Sequence, residues 1–210
     1  MDDNNETVPE RASEVLEFWF AARQSDGPGL DGRMKQWFGS DAAFDEAVRE
    51  GFGDDIRRAL AGEHRDWMHT PRGRLALILL LDQFPRNVWR GTREAFDGDA
   101  KALQLTLDGI RKHMDRRLQP LERAFFYMPL QHAENAKVQT LSTRAFTALA
   151  AAVAGTTLHE TFQTMAEFAD LHRDIVEQFG RFPHRNELLG REHTEEERRY
   201  LGDDTPTFGQ

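Results

Sequence analysis

The chain has 210 residues, 39% hydrophobic and 30% charged, with a net charge of −9 and no cysteine. That length can bury a sizeable core, and the missing cysteines exclude disulfides, thiolate nucleophiles and Cys-ligated zinc. The acidic balance argues against nucleic acid as a partner, because phosphate binding needs a dominant basic face. The longest strongly apolar run, Leu75 to Leu81, is too short to span a bilayer, so no membrane partner is expected. The first ten residues, MDDNNETVPE, are acidic and polar, unlike a signal or transit peptide, and a cytoplasmic protein is the natural expectation.

Taken in chain order, the signals are helical. Thr7-Val8-Pro9-Glu10 reads as a capping box with proline in the first turn, opening a helix over RASEVLEFWFAA. SDGPGLDG reads as a Gly/Pro/Asp loop. Ser40 is placed to cap DAAFDEAV, with a bend or break near Gly51 and Gly53 before DDIRRALAG. Thr70-Pro71 opens RGRLALILLLDQF, apolar all round and so predicted to be a buried central helix, with Pro85 as its stop. DGDAKALQLTLDGIRKHM gives a fourth helix and QPLERAFFYM a fifth, interrupted at Pro129. QHAENAKVQTLSTRAFTALAAAVAG gives a long sixth. TLHETFQTMAEFADLHRDIVEQFG gives a seventh, closed by Gly180. Thr194-Glu195-Glu196-Glu197 is a second capping box before a short last helix. No stretch alternates with period two, so no sheet is expected. The prediction is all-α: one domain over 1–210, with an ordered core of about 8–202 and seven or eight helices.

Several ionisable residues fall on apolar stripes. Phe162, Met165, Ala169, His172, Val176 and Phe179 share a helix face, so His172 should point into the core. In the sixth helix Val138, Leu141, Ala145, Leu149 and Ala152 form a stripe that, extended back one turn, reaches Glu134. Asp82 ends the stripe of Leu75, Ile78 and Leu79.

A basic string occurs twice, DQFPRNVWRG at 82–91 and QFGRFPHRN at 178–186, the second with His184 inserted. Between them the strings and their flanks bring Arg86, Arg90, Arg93, Arg181, Arg185 and Arg191 to an acidic protein. A buried guanidinium needs a carboxylate or a bound anion. One reading is structural: an internal ion-pair network with Asp82 and Glu134 as partners of Arg86 and Arg185, and Asn87 and Asn186 as caps. The other is a cleft in which an arginine remains free for an anionic ligand. Both strings follow an apolar helix that carries an inward polar residue, Asp82 or His172, so Arg86 and Arg185 are expected to lie near each other.

Other chemistry finds little support. There is no Walker A string, no GxGxxG after a strand and no HExxH. His132 and Glu134 stand two apart, which does not place them on one helix face, so no metal site is expected. Ser142 lies far along its helix from the cluster, which leaves no Ser/His/Asp triad. The aromatic residues 18–20 and Trp37-Phe38 read as core anchors before they read as a ligand wall.

The segments VLEFWF, LILLLDQFPRNVWRGT with AFDGD after it, RAFFYMPLQHAEN and HRDIVEQFGRFPHRNELLGREHTEEE together resemble the bacterial family known as domain of unknown function 924, over most of residues 15 to 201. Ala133 and His193 stand where that family commonly carries serine. The resemblance implies a tetratricopeptide-like fold of stacked antiparallel helix pairs and brings no activity or cofactor with it. The 34-residue tetratricopeptide signature itself is not visible.

Together these readings suggest a site for an anionic small molecule, lined by Asp82, Arg86, Asn87, His132, Arg181, Arg185 and Asn186. His172 or His184 would act as the group titrating near neutral pH, and Glu134 or Asp82 would orient it. Metal-independent hydrolysis or group transfer on a phosphate or carboxylate compound would fit such a site. The alternative is a non-catalytic helical module that binds a protein or peptide, its polar cluster purely structural.

Overall fold

The computed structural model describes residues 8–20 and 30–202. Among these the protein is all-α, with nine α-helices, four short 3₁₀ turns and no strand. The α-helices are α1 (Glu10–Phe20), α2 (Leu30–Phe38), α3 (Ala42–Leu60), α4 (Pro71–Val88), α5 (Asp99–Arg111), α6 (Pro120–Gln131), α7 (Ala136–Ala152), α8 (His159–Phe179) and α9 (Glu195–Tyr200). No helix among the described residues is long and apolar enough to cross a membrane. The chain groups into two compact units. One holds α1 to α5, up to Leu118, and the other holds Gly91–Arg93 and everything from Gln119 through α9.

In the first unit α4 is buried all round, as its composition predicts, and packs against α1, α3, α5 and the 3₁₀ turn Arg65–His69. Thr70 caps it by accepting the Gly73 amide at 3.0 Å. Aromatic rings fill the core beside it. Trp19 stacks on Trp37 at 5.9 Å and meets Phe84 at 5.2 Å, and the Trp37 indole N–H donates to the Trp19 carbonyl at 3.2 Å. Trp19 and Trp37 are therefore core anchors, not a ligand wall.

The structure differs from several sequence expectations. The last three residues of the expected SDGPGLDG loop, from Leu30, already belong to an extra helix, α2, and the rest of that loop and Thr7 lie outside the described residues. Asp41, not Ser40, caps α3, accepting the amides of Ala43 and Phe44 at 3.1 Å. α3 runs unbroken through Gly51 and Gly53, because glycine weakens a helix by roughly 1 kcal/mol without forbidding it. α4 runs through Pro85 to Val88, and α6 runs through Pro129.

Proline lacks the N–H that would reach the carbonyl four residues back, and for Pro85 that carbonyl belongs to Leu81. Gly98, the residue before α5, lies directly against it: a β-carbon there would stand 2.0 Å from the Leu81 oxygen.

In the second unit, α7 packs on α6 and α8 around Phe125, Phe126, Phe146 and Phe162. α7 starts at Ala136, capped by Asn135, so Glu134 sits in the elbow before the helix and not on an extended stripe. Its buried stripe is rotated from the apolar one: Gln139, Ser142, Phe146, Leu149 and Val153 face inward, while Val138, Leu141 and Ala145 are half-buried and Ala152 is exposed. The α8 stripe stands as read from Phe162 through Met165, Ala169, His172 and Val176, all buried, while Phe179 at its end is half-buried.

Substituting Gly98 with alanine should force the α5 start away from Leu81. A loss of about 1–3 kcal/mol is expected for such overpacking, read as a lower urea midpoint at unchanged slope.

Candidate functional site

The candidate residues divide between the two units, and the two copies of the basic string fall one in each. In the first unit Asp82 is fully buried and accepts from the Gln83 amide at 2.5 Å. Arg86 turns its guanidinium on Asp99, with bonds of 2.9 and 3.0 Å, and on the Asp82 carbonyl at 2.6 Å, while the Asp82 carboxylate stands off at 3.5 Å. Burial alone would lower the Arg86 pKa, but the charges of Asp99 and Asp82 outweigh it and raise it. Asn87 donates to Asp45 at 2.7 Å, and Arg90 meets the same carboxylate at 3.2 Å. Asp82 thus partners Arg86 as the sequence suggested, with Asp99 its closer carboxylate, and Asp45 serves Asn87 and Arg90.

The second unit gathers most of the candidates. Its polar end starts where Gly180, in the left-handed region at φ +72°, ends α8 and turns the chain back. Two residues on, the Phe182 amide donates to Glu134 at 2.8 Å. Arg191 completes that carboxylate with two bonds, 2.6 Å to Oε2 and 2.9 Å to Oε1. Burial would raise the Glu134 pKa, but Arg191 and the Phe182 amide bring it below the usual carboxylate value. Arg191, not Arg185, is therefore the partner of Glu134.

The elbow that carries His132 and Glu134 is held by Gln139, which has no exposed surface. Its side-chain amide donates to the carbonyls of Gln131 at 2.7 Å and Ala133 at 2.8 Å, on either side of His132. Sequence reasoning passed over Gln139, Arg191 and Glu197 as site residues. The signal for Gln139 was a polar side chain one helical turn past the Asn135 cap.

A second knot lies around Glu197, which is 2% exposed. Arg181 grips it through Nε at 2.6 Å and Nη2 at 2.8 Å, the Thr194 amide donates at 2.7 Å, and Asn186 adds a bond of 3.2 Å. Arg181 hydrogen bonding is the largest cause that holds the Glu197 pKa down at about 2, against the opposing effect of burial. Asn186, fully buried, also accepts from Arg191 at 2.9 Å and has its amide nitrogen 3.0 Å from His193 Nδ1.

Three of the remaining candidates, His172, His184 and Arg185, lie against the Phe182 ring. His172 meets its ring edge-on at 5.5 Å, His184 lies at 5.6 Å, and the Arg185 guanidinium sits over it at 4.5 Å. His132 is 6.3 Å from His172, and Arg185 donates to the His132 carbonyl at 3.1 Å. Burial is the main cause that lowers the pKa of both His172 and His184 to about 3. The charge of Arg185 adds to it for each, as do the neighbouring imidazoles. Both rings are neutral at pH 7, which corrects the expectation that either titrates near neutrality. Among the described residues, no group of three or more His, Cys, Asp or Glu side chains is placed to hold a metal ion.

A family model of bacterial proteins of unknown function, DUF924, matches residues 15–205. The chain is also similar to a solved structure, the protein of unknown function ATU0120 from Agrobacterium tumefaciens. The two are 38% identical, the match covers 92% of this chain and 97% of that one, and the TM-score is 0.76. No curated protein matches.

The low histidine pKa values have a sign that urea unfolding can check. Both groups stay neutral in the folded chain down to pH ~3 but protonate in the unfolded chain below 6.5. The unfolded state then binds more protons, so stability should fall from pH 6.5 downward, by at most about 1.4 kcal/mol per pH unit for each histidine. His172→Phe should flatten this slope. Glu197 acts in a lower window: its stabilisation is present above 4.5 and lost as pH falls toward about 2.

Proposed function

The chain belongs to the bacterial family of unknown function DUF924, and we propose that it binds an anionic small molecule at His132, His172, His184 and Arg185. The observation that carries this reading is the convergence of two imidazoles and one guanidinium on Phe182, with a third imidazole, that of His132, beside His172. Groups that suppress one another's charge are all favoured by a negative charge placed among them. Arginine suits a carboxylate or phosphate in that role, and an aromatic face beneath it holds the planar guanidinium in one orientation.

This site is smaller than the one the sequence outlines. Arg86 and Arg181 already hold carboxylates, and Asn87 and Asn186 donate to carboxylates as well. These residues have architectural roles. The reading is also one of binding and not of hydrolysis or group transfer, because a histidine with a pKa of about 3 is a poor proton donor at neutral pH. A second reading, the non-catalytic module for a protein or peptide partner, draws support from the same engagement of Arg181 and Arg191, which needs no ligand to explain it.

A thermal-stability screen against phosphorylated and carboxylate metabolites separates the two. A ligand at ~100 times its Kd should stabilise the fold by roughly 2.7 kcal/mol. Arg185→Ala and His184→Asn should each abolish most of that shift. A screen in which no anion raises Tm, or a shift that survives both substitutions, would leave the module as the better reading.

A further inference from the structure

Between α3 and α4 the chain turns on a residue that is strained, buried and titratable. His64 sits in the left-handed region at φ 57° and ψ 30°, which a residue with a β-carbon keeps only when its surroundings hold it there. Its ring stacks on Trp67 of the 3₁₀ turn Arg65–His69, with centroids 4.3 Å apart and planes 30° apart, and its side chain is 7% exposed. Nε2 is sealed from solvent and faces Asp55 Oδ1 of α3 at 3.6 Å, beyond hydrogen-bond reach. Asp55 Oδ2 is already held by Arg11 of α1, with bonds of 2.9 and 2.6 Å. The Trp67 amide closes the turn by donating to the His64 carbonyl at 3.0 Å.

Charged groups reach this corner from each element around it. Asp55 and Arg58 stand on α3, Glu63 precedes the ring, and Asp66 lies in the turn. Arg74 of α4 holds the Met68 carbonyl at 2.7 and 3.1 Å, and Arg65 holds the Gly62 carbonyl at 3.0 Å. The carboxylates draw a proton onto His64. Burial, the largest influence, and the charge of Arg58 oppose them and prevail, so the ring's pKa lies below the usual 6.5. A charged ring in this corner would give up water for a carboxylate that Arg11 already neutralises. Turning the ring out restores its hydration and frees the backbone from the left-handed region.

We infer that His64 is an acid-released pin: its neutral ring keeps the 3₁₀ turn closed against α3, and its protonation lets the turn open while α3 and α4 stay folded. The pin lies in the first unit and is independent of the anion-binding reading. With its ring in water, the open turn takes up a proton near pH 6.5, and the closed turn does so only at lower pH. Closure is therefore fully stable above 6.5 and weakens as pH falls, by at most about tenfold in the opening equilibrium for each pH unit.

Amide hydrogen exchange of the wild-type protein between pH 7 and pH 5, corrected for intrinsic exchange, reads the opening. The protection of the Trp67 amide, taken relative to that of Ile78 in the middle of α4, should fall at least about twofold over that range. The ratio separates opening of the turn from unfolding of the whole unit. An NMR titration should place the His64 pKa below 6.5, and Arg58→Ala should raise it. His64→Phe keeps a ring on Trp67 that cannot titrate, and it should leave the ratio flat with pH. A His64 pKa at or above 6.5, a ratio that stays constant in the wild-type protein, or a fall that persists in His64→Phe would each overturn the inference. The first two are read on the wild-type protein and decide the matter even if the variant fails to fold.

Discussion

The pairing of Arg191 with Glu134 is the interaction on which the polar end of the second unit depends. Glu134 lies in an elbow between two helices, and Phe182 lies just past a helix end, so neither segment has helical hydrogen bonds to satisfy it. A single carboxylate solves both problems by accepting two bonds from Arg191 and one from the Phe182 amide. Arg191 then spends its other donors on Asn186 and on the Phe182 carbonyl. One guanidinium thus ties the elbow to the returning chain and fixes where the Phe182 ring stands. The histidines around that ring take their positions from it. Glu134 and Arg191 are each about a quarter exposed. Their contribution to stability is therefore screened by solvent, and what they mainly supply is geometry.

The first unit answers the same physical demand with different partners. Asn87 places its amide on Asp45, in the first turn of α3, while Asn186 places its amide on Glu197, in the first turn of α9. An arginine from the same string joins each carboxylate, Arg90 in one unit and Arg181 in the other. The repeated sequence is thus a repeated way of burying polar side chains at the end of an apolar helix. The two copies part where their glycines do. Gly180, inside the second string, ends α8 there, and Pro183–Arg185 folds as a separate 3₁₀ turn. The first string has no glycine in that position, so α4 continues through Pro85 and carries Arg86 and Asn87 on its last turn. This difference sets His184 against Phe182, with no equivalent in the first copy.

Local rules were readable where they governed alone. His172 follows from helical spacing, Gly180 from its role after a helix, and Thr194 from its capping box, whose two reciprocal bonds are present. The all-helical class follows in the same way. What escaped was set by tertiary packing. Gln139 and Ser142 are fully buried on α7 while Leu141 is not, because apolar residues being inside is a one-way rule. Glu134 was picked out as inward-facing, but the reason was wrong: it belongs to the elbow and not to the helix stripe. Its true partner, Arg191, stands 57 residues away, and nothing local prefers it over Arg185. Pro85 and Pro129 look like breaks in the sequence alone, because it shows the lost hydrogen bond but not the packing that tolerates it. For Pro85 the packing includes Gly98, whose need for a bare α-carbon becomes visible only when the Leu81 carbonyl is seen beside it.

The deepest division among the candidate residues concerns which of them can release a proton. Arginine effectively never does in a protein, so a buried guanidinium must find acceptors when the chain folds. Arg86, Arg181 and Arg191 have all done so, on Asp99, Glu197 and Glu134. Histidine has another choice. It can enter the interior neutral, needing only a donor or acceptor for each nitrogen, and its charge is then left to the conditions and to whatever binds. His172 has taken that course, with one nitrogen spent on its own helix. Arginine therefore builds the frame of this polar end, and the histidines are the groups whose state can still change within it.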